Sequence, residues 1–173
     1  MAELRDILLL AHRLLDQAGA DHALIGAMAL GNLGVHRATM DVDLLVDGRR
    51  VTEAKAALQS GGFQLLEEGP ETLQFGGLGT LDVLLARREP SLEMLARAQP
   101  APNLGMKCAT AEDIIGLKIQ AYVNDPRRKL QDQADIAALI RTQPNLDWDR
   151  IRRYADLFDQ WSAVLELKNA DAS

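Results

Sequence analysis

Asp41 and Asp43 stand two apart at the head of an apolar run, Leu44-Leu45-Val46, in the stretch RATMDVDLLVD of residues 37–47. Side chains alternate along a strand, so both carboxylates would point to one side with Val42 opposite. Burying such charges is costly unless something compensates them. Asp82 heads a matching run, Val83-Leu84-Leu85, in GTLDVLLAR. If the two strands are neighbours, three carboxylates gather at one end of a sheet, where like charges raise one another's pKa. A divalent cation reverses the sign of that interaction. With only oxygen ligands and no nearby Cys or His, the set favours a hard ion, Mg²⁺ or Mn²⁺. The plainer alternative makes Asp41 a turn residue and leaves Asp43 and Asp82 as solvent-facing groups at strand ends.

A second feature lies upstream, in LIGAMALGNLG. A strand runs into Gly26 and a short helix of small residues begins at once. Glycine lets the backbone come close to a ligand, and the free N–H groups of a new helix suit a phosphate. Residues 28–40 leave room for that helix and a return turn before Asp41. A phosphate cradle at Gly26 and Ala27 would then lie beside the metal carboxylates.

The order of strand, glycine turn, short helix, D-x-D and later strand acid resembles the DNA polymerase β-like nucleotidyltransferase superfamily. ALIGAMALGNLGVHRATMDVDLLVD is especially similar to its small bacterial members. These include AbiEii-type toxins of toxin–antitoxin systems and small antibiotic nucleotidyltransferases. The likeness in motifs covers residues 24–85, and the helical tail extends it more loosely. It implies that Asp41 and Asp43 bind Mg²⁺ and the triphosphate of an NTP. Asp82 would complete the metal site and help deprotonate an attacking hydroxyl, and Gly26 with its neighbour would hold phosphate. The second motif position is Ala27, where the family has Gly or Ser, so a hydroxyl is absent while the backbone N–H remains. Two metals bridging carboxylates and phosphates would align an acceptor hydroxyl with the α-phosphate, with release of pyrophosphate. The acceptor could be RNA, a protein or a small molecule. The alternative, motivated by Ala27, is a non-catalytic binding module that keeps the fold and works with a partner chain. A metal phosphoesterase is a weaker third reading, because the His-rich ligand spacing many such sites use is absent.

Two cations are candidates for supporting roles. Lys118 lies along a largely apolar stripe, one turn from Ile114 and from Tyr122. It could snorkel to the surface or reach a phosphate; the family likeness favours the phosphate. Arg37, just before the acidic strand, could brace a carboxylate or touch a phosphate. Asp132 and Asp135 share a helix face and could pair with the basic run Arg127-Arg128-Lys129 as structure, or serve substrate. His36 reads as a turn residue, Trp148 and Trp161 as packing anchors, and the stretch around Arg150 as a solvated face.

The elements that must position these groups follow from periodicity. Leu4, Ile7, Leu8, Ala11, Leu14, Leu15 and Ala18 predict an amphipathic helix stopped at Gly19. HALIG, MDVDLLVD, FQLLEE, TLQF, TLDVLLA and GMKCA read as strands, with EEGPE a turn. RRVTEAKAALQSGG reads as a helix closed by Gly61-Gly62, and PSLEMLARAQ as a short helix followed by a Pro-containing connector. From Thr110, which with Asp113 resembles a capping box, the period is helical through AEDIIGLKIQAYVND, PRRKLQDQADIAALIRTQ and DWDRIRRYADLFDQWSAVLELK. The expected fold class is α+β: a small mixed sheet flanked by helices, residues 1–108, with a C-terminal helical subdomain, residues 109–173. The final NADAS is expected to fray.

The whole chain sets bounds on this. Its 173 residues, 47% hydrophobic and 25% charged, suit a globular protein with a substantial core. A net charge of −6 argues against broad nucleic-acid binding. At 4% aromatic, it offers few platforms for stacking bases. The single Cys108, in an apolar context, excludes an internal disulfide and suits a reducing compartment. The apolar stretch from Ile7 to Ala11 ends at His12 and Arg13, too short for a signal core or a span. A cytoplasmic protein with no membrane partner is the expectation.

Overall fold

The computed structural model describes residues 3–170. They fall into two compact units. The first comprises the described residues up to Ala29 together with Ala38–Ala109; the second comprises Leu30–Arg37 and the described residues from Thr110 onward. The helical unit thus includes a segment, residues 30–37, that a single linear boundary near residue 108 leaves out.

In the first unit, α1 (Leu4–Gln17) leads to β1 (His22–Ile25), and α2 (Gly26–Asn32) begins directly after it. Next come β2 (Asp41–Asp47), α3 (Val51–Ser60), β3 (Gln64–Glu68), β4 (Thr72–Gly76) and β5 (Thr80–Ala86). The unit ends with α4 (Glu89–Arg97), β6 (Gln99–Ala101) and β7 (Met106–Cys108). The strands form one mixed sheet in the order β3-β4-β5-β2-β1-β7-β6. β2 runs parallel to β5 and antiparallel to β1. β2 is central, and from Leu44 to Asp47 every residue is buried, as expected for a strand covered on both faces. Each fully buried leucine there contributes roughly 1.5–3 kcal/mol of burial free energy. Helix α1 presents Ile7, Leu8, Ala11 and Leu15 to the core. It stops where Gly19 turns to a φ of +64° and the Ala20 N–H bonds back to the Leu15 carbonyl at 3.0 Å.

The helical unit holds α5 (Ala111–Asn124), α6 (Lys129–Thr142), α7 (Trp148–Leu157) and α8 (Trp161–Ala170). Thr110 caps α5 by accepting from the Asp113 N–H at 3.4 Å. The reciprocal half of a capping box does not form: the Asp113 carboxylate instead accepts the buried Tyr154 hydroxyl at 2.6 Å. Tyr154 packs close against α5 because Gly116 is there; a Cβ at that position would sit 2.6 Å from the Tyr154 ring.

Three features differ from the sequence expectation. The Pro-containing connector forms the strand β6, and Pro100 is tolerated because β6 is the sheet's edge. The last helical segment is two helices, broken where Asp159 adopts a φ of +55°. Asn169 and Ala170 of the tail are helical in α8, and residues 171–173 lie outside the described residues. Cys108 is buried. Trp148 and Trp161 are half-buried and stack under cations, with Lys168 Nζ 3.9 Å and Arg152 Cζ 5.5 Å from the respective ring centroids. Among the described residues, no helix is long and apolar enough to cross a membrane.

Candidate active site

Asp43 of β2 is the register partner of Asp82 on β5, and Asp41 is that of Thr80. Register partners on neighbouring strands present their side chains to the same face, with the strands about 4.8 Å apart. Asp43 and Asp82 therefore stand side by side, and Asp41, two residues earlier, shares their face. All three are half-buried. Val42, Leu44, Leu81 and Val83, on the opposite face, are in the core. Their burial fixes the orientation, because a slip of one residue would turn the carboxylates inward.

The glycine turn completes this arrangement. Ile25 faces Asp43 in antiparallel register, and Gly26 follows with a φ of +68°. A Cβ on Gly26 would lie 2.0 Å from Asp43 Oδ2. Glycine is thus required twice, once for its backbone conformation and once for the space the carboxylate occupies. Ala27 is 3% exposed, its methyl in the packed interior. The polar groups Ala27 offers a ligand are those of its backbone.

A cavity of about 330 Å³ opens on the same face, lined by Asp43, Asp82, Ile25, Thr72, Gln74 and Glu67 among others. Gln74 is the register partner of Asp82, and Glu67 that of Gln74. Sequence reasoning missed these three polar neighbours. Alternation in TLQF already separates Thr72 and Gln74 from the buried Leu73 and Phe75. Glu67 carries no such signal, because a register shift between Leu65 and Glu67 decides which way it faces.

The donor set of Asp41, Asp43 and Asp82 is all oxygen, which fits a hard divalent cation such as Mg²⁺. Among the described residues, no group of three or more His, Cys, Asp or Glu side chains is gathered so as to hold a metal ion on its own.

Arg37 and Lys118, the two cations considered as phosphate ligands, both lie in the helical unit. Lys118 is buried, with Nζ 2.6 Å from Asp135 Oδ2 and 3.0 Å from Asp132 Oδ1. Arg37 Nε approaches Asp135 Oδ2 at 3.4 Å, and Arg128 Nε approaches Asp132 Oδ2 at 3.1 Å. Gln131 donates to Asp135 Oδ1 at 3.0 Å. The structure therefore gathers Lys118, Arg37, Asp132 and Asp135 into one network, with Lys118 directed inward rather than snorkelling.

A larger cavity, about 510 Å³, lies toward the start of β1 and is lined by His12, Asp16, His22 and Lys107 among others. His22 Nδ1 lies 2.7 Å from the Ala20 carbonyl and Nε2 lies 2.8 Å from His12 Nδ1. A carbonyl only accepts, so His22 carries its proton on Nδ1 and takes the His12 proton at Nε2. Burial holds the His22 pKa below its ordinary value, against the Ala20 hydrogen bond, which raises it. This pocket lacks the row of carboxylates.

No protein-family model matches the chain, and no curated protein matches it in sequence. Solved structures do. The antibiotic-resistance factor ANT(2″)-Ia, in its solution structure, superposes at TM-score 0.67 and 19% identity, covering 96% of this chain and 97% of that one. The same protein in complex with adenylyl-2″-tobramycin gives TM-score 0.67 at 18% identity over 90% of this chain and 96% of that one. A nucleotidyltransferase-like protein of Paracoccidioides brasiliensis gives 0.58 at 21% identity over 97% and 93%. Lincomycin-bound LnuA, a lincosamide antibiotic adenylyltransferase, gives 0.53 at 13% identity over 80% and 96%. At these identities the likeness is one of architecture: the chain shares the fold of these nucleotidyltransferase structures.

Proposed function

We propose that this chain is a Mg²⁺-dependent nucleotidyltransferase that moves a nucleoside monophosphate from an NTP to a hydroxyl acceptor. The observation that carries this reading is the in-register pair Asp43–Asp82, with the Gly26 backbone pressed against the Asp43 carboxylate. Asp41 and Asp43 would bind the metal and orient the triphosphate. Asp82 would complete the donor set and take the proton of the acceptor hydroxyl. Mg²⁺ commonly takes one or two carboxylates plus substrate phosphates. Bound cations would polarise the α-phosphate and offset the charge that develops on it. The acceptor oxygen forms its bond to the α-phosphorus as the bond from that phosphorus to the β-phosphate oxygen breaks. The proton passes to the Asp82 carboxylate and pyrophosphate leaves. The Gly26–Ala27 backbone would support the phosphates from the side.

The acceptor classes are RNA, a protein or a small molecule, and the tobramycin adduct and lincomycin of the similar structures make a small molecule the first to try. The test is incubation with each α-labelled NTP, Mg²⁺ and separate fractions of cell RNA, protein and small molecules. Label should enter one fraction, and Asp41→Asn or Asp43→Asn should abolish it while circular dichroism stays unchanged. Transfer that continues undiminished in the double variant would remove the reading.

A further inference from the structure

The ladder between β1 and β2 stops one rung short of Asp41. Ala23 faces Leu45 and Ile25 faces Asp43, and at the far end the Asp47 N–H donates to the Asp21 carbonyl at 2.9 Å. In an antiparallel pair, opposite residues that exchange backbone bonds alternate with pairs that do not. The Asp47–Asp21 bond therefore makes Asp47, Leu45, Asp43 and Asp41 the residues whose N–H and C=O groups point toward β1 and away from β5. The partner opposite Asp41 would be Ala27, but the chain leaves the strand at Gly26, and Ala27 lies in α2. The turn that makes room for the Asp43 carboxylate thus removes the rung that would hold Asp41. Thr39 fills that place. Its Oγ1 accepts from the Asp41 N–H at 3.2 Å and donates to the Asp41 carbonyl at 3.2 Å. These are the two groups a β1 residue would have met. Packing offers little at this end of the strand: Met40 is 81% exposed, and Val42 is the first residue of β2 anchored in the core.

Resting on the nucleotidyltransferase reading of this site, we infer that Thr39 is a positioning residue for Asp41: its hydroxyl replaces the missing β1 rung and keeps the outermost carboxylate of the row on the face of Asp43 and Asp82. A strand end that lacks backbone partners frays. Side-chain direction follows the pleat, so fraying there carries the Asp41 carboxylate off the shared face. Groups that orient a metal ligand typically contribute roughly 10–100-fold to metal affinity or activity. A hydroxyl suits this task because it donates and accepts at once, and from Ser or Thr it reaches the backbone two residues on. Valine has the same shape and can do neither. Serine should therefore serve at position 39, and valine should not.

The test compares the full chain with Thr39→Val and Thr39→Ser. Amide hydrogen exchange, followed by NMR without metal or nucleotide, reads the backbone directly. The Asp41 amide should exchange about tenfold faster in Thr39→Val, while the Asp43 and Leu45 amides, bonded to β1, keep their wild-type rates. Mn²⁺ binding in the presence of a non-hydrolysable NTP, followed by electron paramagnetic resonance, should weaken about tenfold in Thr39→Val. The Mg²⁺ concentration for half-maximal transfer should rise in proportion, with kcat at saturating Mg²⁺ changed less. Thr39→Ser should match wild type in all three measurements. Equal Asp41 exchange or equal Mn²⁺ affinity in wild type and Thr39→Val would overturn the inference. So would a Thr39→Ser variant as impaired as Thr39→Val, since the hydroxyl would then not be the group that matters. A wild-type protein that binds Mn²⁺ and NTP but labels no acceptor sinks the nucleotidyltransferase reading alone, and exchange and Mn²⁺ affinity still decide the role of Thr39. A wild-type protein that binds no Mn²⁺ removes both.

Discussion

Gly26 and Asp43 are packed so closely that the hydrogen on the Gly26 Cα occupies the space a side chain would need. A Cβ there would stand 2.0 Å from Oδ2, 2.5 Å from Cγ and 2.7 Å from Cβ of Asp43. The two residues belong to antiparallel neighbours, β1 leading into α2 and β2, so the turn and the carboxylate are fixed together. Whatever positions one positions the other.

Gly26→Ala should therefore do two separable kinds of damage. The left-handed backbone at this position costs an alanine about 1–2 kcal/mol, and the clash pushes Asp43 out of the row. Transfer activity should fall more steeply than thermal stability. Combining Gly26→Ala with Asp43→Ala removes the contacts with Oδ2 and Cγ and leaves the 2.7 Å contact with Cβ and the backbone strain. The double variant should then be less destabilised than the sum of the singles, by roughly 0.5–3 kcal/mol for residues in contact. Strict additivity in urea unfolding would mean that the two side chains do not meet.

Asp43 and Asp82, side by side in register, are the pair the proposed Mg²⁺ would hold. Added Mg²⁺ should raise the wild-type melting temperature, because a ligand that binds only the folded state stabilises it by mass action. The same Mg²⁺ should do little for Asp82→Asn. A scanning calorimetry series in Mg²⁺ with and without nucleotide checks both, and a variant that responds to Mg²⁺ as wild type does would place the ion elsewhere.

The acid row was legible because alternation is a rigid rule: Asp41 and Asp43 had to share a face, and the matching contexts of DLLV and DVLL suggested neighbouring strands. Gly26 was legible from its place between strand and helix, though its second duty, making room for Asp43, depends on a contact no local pattern contains. Pro100 argued against a strand and sits in one, because only the sheet's edge admits it and edge position is a tertiary fact. Glu67 was illegible for a related reason: a single unpaired residue inverts the face of everything after it. Lys118 looked like a cation on an apolar stripe, and its two carboxylates come from a helix fourteen and seventeen residues on.

His22 gives the fold a pH dependence whose sign follows from its surroundings. Burial is the largest cause and lowers its pKa from 6.5; nearby His12 lowers it further, while the Ala20 carbonyl, Asp21 and Asp16 raise it. The unfolded chain therefore binds this proton more readily than the folded one. Stability from this residue is full above its unfolded pKa and declines as pH falls below it. Melting temperature should drop between about pH 7.5 and about pH 5.5, and His22→Gln should flatten that slope. A slope identical in the variant would assign the acid sensitivity to other groups.

Lys118 separates a structural from a substrate role most sharply. Its amino group lies between Asp132, 1% exposed, and Asp135, 4% exposed. Lys118→Met removes the central cation and leaves two buried carboxylates to Arg128 and Arg37, whose side chains are 53% and 35% exposed. Breaking a buried pair from one side costs about 3–5 kcal/mol, so urea unfolding should show a loss of that size before any substrate is added. Replacing Asp132 and Asp135 by Asn in the Lys118→Met background should return part of it, since amides leave no buried charge. If Lys118 served nucleotide alone, the single variant would keep its stability and lose affinity for NTP. A protein that unfolds at the wild-type urea midpoint but has a raised KM for NTP would decide for the substrate role, and the network with Asp132 and Asp135 would then be the resting place of a ligand-binding lysine.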